Sequence, residues 1–232
     1  MMLPVTHVLA FGVWLVVQSK ATASRPTISI FLKPPGVIPP GGSTTICCSC
    51  QSDKGTIVLY KRGRQIRSLD LHGNWAEFPI SNATQNDTGA YNCHWLHGRT
   101  VLARSETLDI IVQEFHLPTP VFSILPGQEV AAGASVTFRC TINHSGAGCF
   151  LYQEGRMETT NLISKEQDHF SLTHVHKSNE GRYSCQCFSK SGGSLKWSAV
   201  SNTLDLVVRD YTWNNAVRLA LGSGVLLLLG LI

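Results

Sequence analysis

The chain has 232 residues, of which 15% are charged, and it carries 20 glycines and 10 prolines. Such a composition suits short strands joined by turns better than helices, and no long window repeats apolar residues at helical spacing with good helix formers. A formal net charge of +4 is too mild to imply a nucleic-acid partner.

At the N-terminus, an apolar run from Val8 to Val17 precedes Ala21-Thr22-Ala23. About ten apolar residues followed by small-x-small predict a secretory signal over residues 1–23, although the positive stretch usual before such a run is missing apart from His7. The run is too short for a membrane anchor. Between this run and a second apolar end lie roughly 185 residues, enough for one large domain or two of about 90. Eight cysteines in a chain sent through the oxidising secretory route make disulfides the default reading. Sequons at Asn82, Asn86 and Asn143 point the same way, to a glycosylated ectodomain.

Two sets of landmarks then recur at a shift of 92 residues: Cys48 and Cys140, Tyr60 and Tyr152, Phe78 and Phe170, Tyr91-Asn92-Cys93 and Tyr183-Ser184-Cys185. A whole domain is therefore present twice, over residues 24–113 and 114–209. Each copy has the grammar of an immunoglobulin-like sandwich. A Gly-rich turn leads into a strand carrying the first Cys, and a Tyr stands two residues before the second. That Tyr, Tyr91 or Tyr183, is read as a tyrosine corner, whose hydroxyl bonds back to the backbone. Cys48–Cys93 and Cys140–Cys185 are expected to bridge the two sheets. Closing such a loop stabilises a domain by about 3–4 kcal/mol. The Trp expected on the third strand is absent, and Leu59 and Leu151 are expected to fill its space. The basic run Lys61-Arg62-Gly63-Arg64 reads as a solvated loop or a patch for an acidic ligand.

The repeat also places the remaining cysteines. Cys149 aligns with Ile57 and Cys187 with Trp95, on strands that neighbour each other in this fold. A cross-strand Cys149–Cys187 bridge is expected, the alternative being two buried thiols. Cys50 shares the inward face of Cys48 and is expected to be a buried unpaired thiol. Cys47 aligns with Arg139 and should face out, either linking two chains or marking a drifted position.

After the last predicted strand come a stalk over 210–215 and an apolar segment over 216–232, with Trp213 as an alternative start. From Trp213 the segment has 20 residues, about 30 Å as a helix, which just spans the hydrocarbon. Tyr211 and Trp213 suit the outer interface of a type I plasma-membrane protein whose N-terminus is extracellular. Arg218 then lies about five residues inside the boundary. It either pairs with an acidic residue of a partner helix or snorkels outward. No tail is expected after Ile232, in which case signalling would need an adaptor. A cleaved lipid-anchor signal and a truncated product are the alternatives.

At this point the residues resemble a known family, the leukocyte-receptor-cluster group of Ig-like receptors. The group includes the leukocyte and killer-cell Ig-like receptors, bird Ig-like receptors, platelet glycoprotein VI, the IgA Fc receptor and the osteoclast-associated receptor. The likeness rests on Leu59-Tyr60-Lys61-Arg62-Gly63, Leu151-Tyr152-Gln153-Glu154-Gly155 and Trp197-Ser198-Ala199-Val200-Ser201, with a weaker match at Ala103-Arg104-Ser105-Glu106. Asn214-Asn215-Ala216-Val217-Arg218-Leu219 is similar to the approach to the membrane in activating members. The resemblance implies that Arg218 pairs with an aspartate of an Fc receptor γ chain-like adaptor. It also implies an extracellular protein ligand of the MHC class I, collagen or antibody Fc kind. A lipid-anchored or soluble decoy without signalling is the alternative.

Two surfaces are candidates for the ligand: a loop at His94-Trp95-Leu96-His97-Gly98-Arg99, with Trp95 itself more core than surface, and the bend at Phe115 to Pro120. Nine histidines raise the question of a metal or an acid/base pair, above all His174 and His176 on one face of a strand. No carboxylate or Cys stands at a convincing spacing, and no nucleophile motif accompanies them. No enzyme, cofactor or metal is expected.

Overall fold

The structure is a computed structural model that describes residues 26–155, 159–162 and 169–209. The expected signal, stalk and membrane segment, with Arg218, lie outside the described residues. Among the described residues no helix is long and apolar enough to cross a membrane.

The first half begins with β1 (Ile28–Lys33), β2 (Thr44–Cys50), β3 (Thr56–Lys61) and β4 (Arg64–Asp70). It continues with β5 (Trp75–Ile80), β6 (Gly89–His97), β7 (Thr100–Arg104) and β8 (Leu108–Ile110). Strands β1-β2-β5 form one sheet, and β4-β3-β6-β7 form the other, with β8 also on β6. Period-2 alternation explains the burial. In β2, Ile46, Cys48 and Cys50 point inward, and in β6 so do Tyr91, Cys93 and Trp95. Ile30, Ile57, Leu59 and Phe78 complete this core.

The second half repeats the plan. A linking strand β9 (Phe115–Leu117) is followed by β10 (Val121–Leu125), β11 (Glu129–Ala131), β12 (Val136–Thr141), β13 (Gly148–Gln153) and β14 (Thr159–Leu162). Then come β15 (His169–Leu172), β16 (Gly181–Ser191), β17 (Ser194–Val200) and β18 (Leu204–Arg209). The β10-β12-β15 sheet faces β11-β18-β16-β13-β14, with β17 and β9 attached through β16. Val136, Phe138, Leu151, Val175 and Leu206 form a separate core. The architecture is all-β, two Ig-like sandwiches in tandem.

Three disulfides hold the sandwiches: Cys48–Cys93, Cys140–Cys185 and Cys149–Cys187. The space of the absent Trp is taken by Leu59 and Leu151, which lie directly opposite Cys93 and Cys185. Tyr91 donates its hydroxyl to Asp87 O at 2.8 Å, and Tyr183 to Asn179 O at 2.7 Å. Burial, with a smaller contribution from Asp87, pushes the Tyr91 hydroxyl up to about 12. The run Lys61-Arg62-Gly63-Arg64 is the β3–β4 turn, in which Arg62 and Gly63 take positive φ.

Three expectations need correcting. His94 to His97 is the end of β6 rather than a loop, and the turn itself is Gly98-Arg99. Phe115–Leu117 is a strand pairing in parallel with β17, so the bend is tied to a sheet. His174 and His176 are on no strand. They precede a short 3-10 turn, and His174 takes positive φ, so strand alternation does not set where the two rings point.

Candidate functional site: the interdomain elbow and its open counterpart in domain 1

β1 ends at Lys33, and the chain turns through Pro34, Pro35 and Gly36 onto the outer face of the β13-β16-β17 sheet. There Gln186 of β16 is fully buried. Its Oε1 accepts the Val37 N–H at 2.8 Å and the Tyr152 hydroxyl at 3.2 Å. Its Nε2 donates to Ser198 O at 2.9 Å and Val37 O at 3.3 Å. One amide side chain thus satisfies both backbone groups of Val37 across the domain boundary. Gly36 is required here: its φ is +107°, and a Cβ would stand 2.8 Å from Gln186 Oε1. Burial raises the Tyr152 hydroxyl well above its ordinary value, so it stays a donor. Charges close one side, with Glu154 bridging Arg182 at 3.0 Å and Lys33 of domain 1 at 3.7 Å.

Beside this clasp lies a cleft of about 180 Å³, lined by Phe31, Pro35, Ile111, Phe150 and Trp197 among others. Its domain-2 wall is a ring cluster. Phe150 lies 5.7 Å from Trp197 and 5.0 Å from Phe188, centroid to centroid. Such spacings favour offset stacking and make the wall stiff.

The repeat gives each of these residues a twin in domain 1. Tyr152 corresponds to Tyr60, Gln186 to His94, Phe150 to Val58 and Phe188 to Leu96 at the shift of 92. On the last strands the twins are fixed by hydrogen bonds instead. Ser105 Oγ accepts the Cys93 N–H and Ser201 Oγ accepts the Cys185 N–H, both at 2.9 Å. Ser105 therefore stands where Ser201 does, and Val101 where Trp197 does. In domain 2 this face is covered by domain 1. In domain 1 the same face is open: Val101 is 41% exposed, and His94 and Leu96 are part-exposed. His94 stacks on Tyr60 at 4.2 Å. Burial, then the Arg104 charge, lowers the His94 pKa, so the ring stays neutral to lower pH than an ordinary histidine. Sequence reasoning missed Gln186, and it named His94 to Arg99 as a ligand surface without placing that stretch on this open sheet face. The signal was available as the outward position between Cys185 and Cys187, and its twin between Cys93 and Trp95.

Cys50 is an unpaired thiol, buried as expected, and Asn82, Asn86 and Asn143 are exposed. Cys47 is also unpaired, but it is buried, contrary to the outward exposure expected. It does point away from its own core, between Phe31 of β1 and Glu77 of β5. That outer surface, however, faces domain 2, and Glu154 contributes to the charge around it. Burial first, then Glu77, pushes the thiol up to about 11 from 9.0. Because the folded value is raised, stability from this neutral thiol is present below pH 9 and is lost as pH rises towards 11. We predict that Cys47 of the native chain resists maleimide at pH 8 and reacts once guanidinium unfolds it. Rapid native labelling, or a disulfide-linked dimer on a non-reducing gel abolished by Cys47→Ser, would contradict this.

No protein-family model matches the chain. Human immunoglobulin superfamily member 1 is 30% identical over 173 residues, 74% of this chain and 12% of that protein. The mouse osteoclast-associated immunoglobulin-like receptor is 28% identical over 223 residues, 90% of this chain and 83% of the relative. Natural cytotoxicity triggering receptor 1 of Macaca fascicularis is 27% identical over 181 residues, 74% of this chain and 56% of the relative. Among solved structures, the human OSCAR ligand-binding domain is similar at 25% identity and a TM-score of 0.40, covering 78% of this chain and 98% of that one.

Proposed function

The chain is a homologue of the leukocyte-receptor-like immunoglobulin receptors, and we propose that it is an activating cell-surface receptor that binds an extracellular protein and signals through an adaptor paired with Arg218. The observation that carries this reading is Arg218 within the apolar run that follows the second sandwich. An arginine at the bilayer centre costs about 2.5–3.5 kcal/mol on insertion scales, which an acidic residue on a partner helix offsets. An aspartate of an Fc receptor γ chain-like adaptor has the required chemistry.

The ectodomain in this reading is residues 24–209, glycosylated at Asn82, Asn86 and Asn143. Its ligand, of the MHC class I, collagen or antibody Fc kind, meets the open domain-1 face around Tyr60, His94 and Val101. That face offers apolar side chains beside the basic Arg104, and in domain 2 the twin face already serves as a contact surface.

Coexpression of the full chain with the γ chain, followed by immunoprecipitation, tests the pairing. Arg218→Leu should reduce adaptor recovery at least tenfold at equal surface expression. Equal recovery would sink the pairing. Release of the chain from cells by a phosphatidylinositol-specific phospholipase would favour the lipid-anchored decoy instead.

A further inference from the structure

In domain 2, sulfurs from two different disulfides share one small volume. The Sγ atoms of Cys140, Cys149 and Cys187 lie within 4.8 Å of one another. Cys140 Sγ is 3.5 Å from Cys187 Sγ, although the two are not bonded to each other. The cause is strand periodicity. Cys185 and Cys187 are two apart on β16, so both face inward. One reaches Cys140 on β12 across the sandwich, and the other reaches Cys149, its direct neighbour on β13. Domain 1 has no such cluster, since Ile57 and Trp95 occupy the two positions.

The four cysteines differ in access. Cys149 is 7% exposed, at the start of β13 next to the exposed residues 143–146, whereas Cys140 is 1% exposed and Cys185 and Cys187 are fully buried. We propose that the Cys149–Cys187 bridge is a site of modification by an external thiol, and that its opening passes the second bond on to the Cys140–Cys185 bridge.

The chemistry is thiol–disulfide exchange. An external thiolate attacks Cys149 Sγ and forms a mixed disulfide there. The Cys149–Cys187 bond breaks, and its electron pair leaves on Cys187. The Cys187 thiolate then attacks Cys140 Sγ, 3.5 Å away in the starting structure. A Cys140–Cys187 bond forms, the Cys140–Cys185 bond breaks, and Cys185 takes up the proton given by the external thiol. Two disulfides and one thiol enter, and two disulfides and one thiol leave, so no oxidant is needed. The tether of β12 moves two residues along β16. Gln186, the residue between the two cysteines, is the side chain that holds Val37 of domain 1. The exchange therefore acts on the strand segment that supports the elbow.

The test uses the full chain in detergent, treated with reduced glutathione at pH 8. It is then quenched with N-ethylmaleimide in mildly acidic guanidinium, deglycosylated and digested with trypsin. The four cysteines fall in peptides 140–156 and 183–190, two in each, so fragment-ion spectra assign the labels. Glutathione on Cys149, maleimide on Cys185 and a Cys140–Cys187 linkage are expected. Maleimide on Cys187 with Cys140–Cys185 intact overturns the exchange, and two untouched bridges overturn the modification site. Cys149→Ser frees Cys187 with no reductant, and label divided between Cys185 and Cys187 is expected there. Label on Cys187 alone would again overturn the exchange.

Discussion

Phe138→Ala is expected to destabilise domain 2 by about 3–5 kcal/mol, the cost typical of removing a large buried ring. Phe138 is fully buried at the centre of the second core. It lies 4.5 Å from the Tyr183 ring and 6.3 and 6.4 Å from those of Phe122 and Phe170. Truncation leaves a cavity between the two sheets, which the inter-sheet Cys140–Cys185 bridge ties together, so the transfer and cavity contributions add. Chemical denaturation followed by tryptophan fluorescence reads the effect. Trp197 reports on domain 2, while Trp75 and Trp95 report on domain 1. The midpoint seen by Trp197 should fall well below the one seen by the domain-1 pair. Phe78→Ala should reverse the order, because Phe78 is the large buried ring of the first core. A loss below about 1 kcal/mol would mean that the ring is not packed as described.

Gln186→Leu is expected to loosen the elbow without unfolding either sandwich. Leucine approximates the volume but offers no hydrogen bonds. The Val37 N–H and carbonyl and the Tyr152 hydroxyl would then lack the partner they have now. Each buried polar group left unpaired costs roughly 1–3 kcal/mol, so a total near 2–4 kcal/mol is expected after relaxation of the elbow. Amide hydrogen exchange is the discriminating measurement. Val37 should lose protection by about two orders of magnitude, and Cys93, whose N–H bonds Ser105 within domain 1, should keep its own. Unchanged protection at Val37 would show that the clasp does not hold the domains. The same substitution at the twin, His94→Leu, should affect stability much less, because His94 is part-exposed on a face left open among the described residues.

The contrast between Gln186 and His94 shows how far the sequence could be read. Local and repeated features were legible. Period-2 alternation placed Cys48, Cys93, Cys140 and Cys185 on inward faces, and the shift of 92 placed Cys149 opposite Cys187. The Tyr two residues before Cys93 and before Cys185 marked each corner. All of these depend on one strand or on neighbouring strands, where spacing in the chain dictates position in space. The short histidine segment was misread for the opposite reason. His174-Val175-His176 alternates as a strand would, but the chain leaves the sheet there to make the turn that supports Tyr183.

By itself the sequence determined two Ig-like sandwiches, their inward faces and the inter-sheet pairing of their cysteines, because a repeated hydrophobic pattern has one way to bury itself. Only the tertiary structure decided which outward faces are outside. Two equivalent positions, His94 and Gln186, met different fates because domain 1 rests on one sheet of domain 2 while the matching sheet of domain 1 is left open among the described residues. Cys47 was buried by the same contact, since a residue that points away from its own core can still be desolvated by a neighbouring domain. No periodicity within a strand encodes that, and it follows from the one contact that makes the two copies unequal.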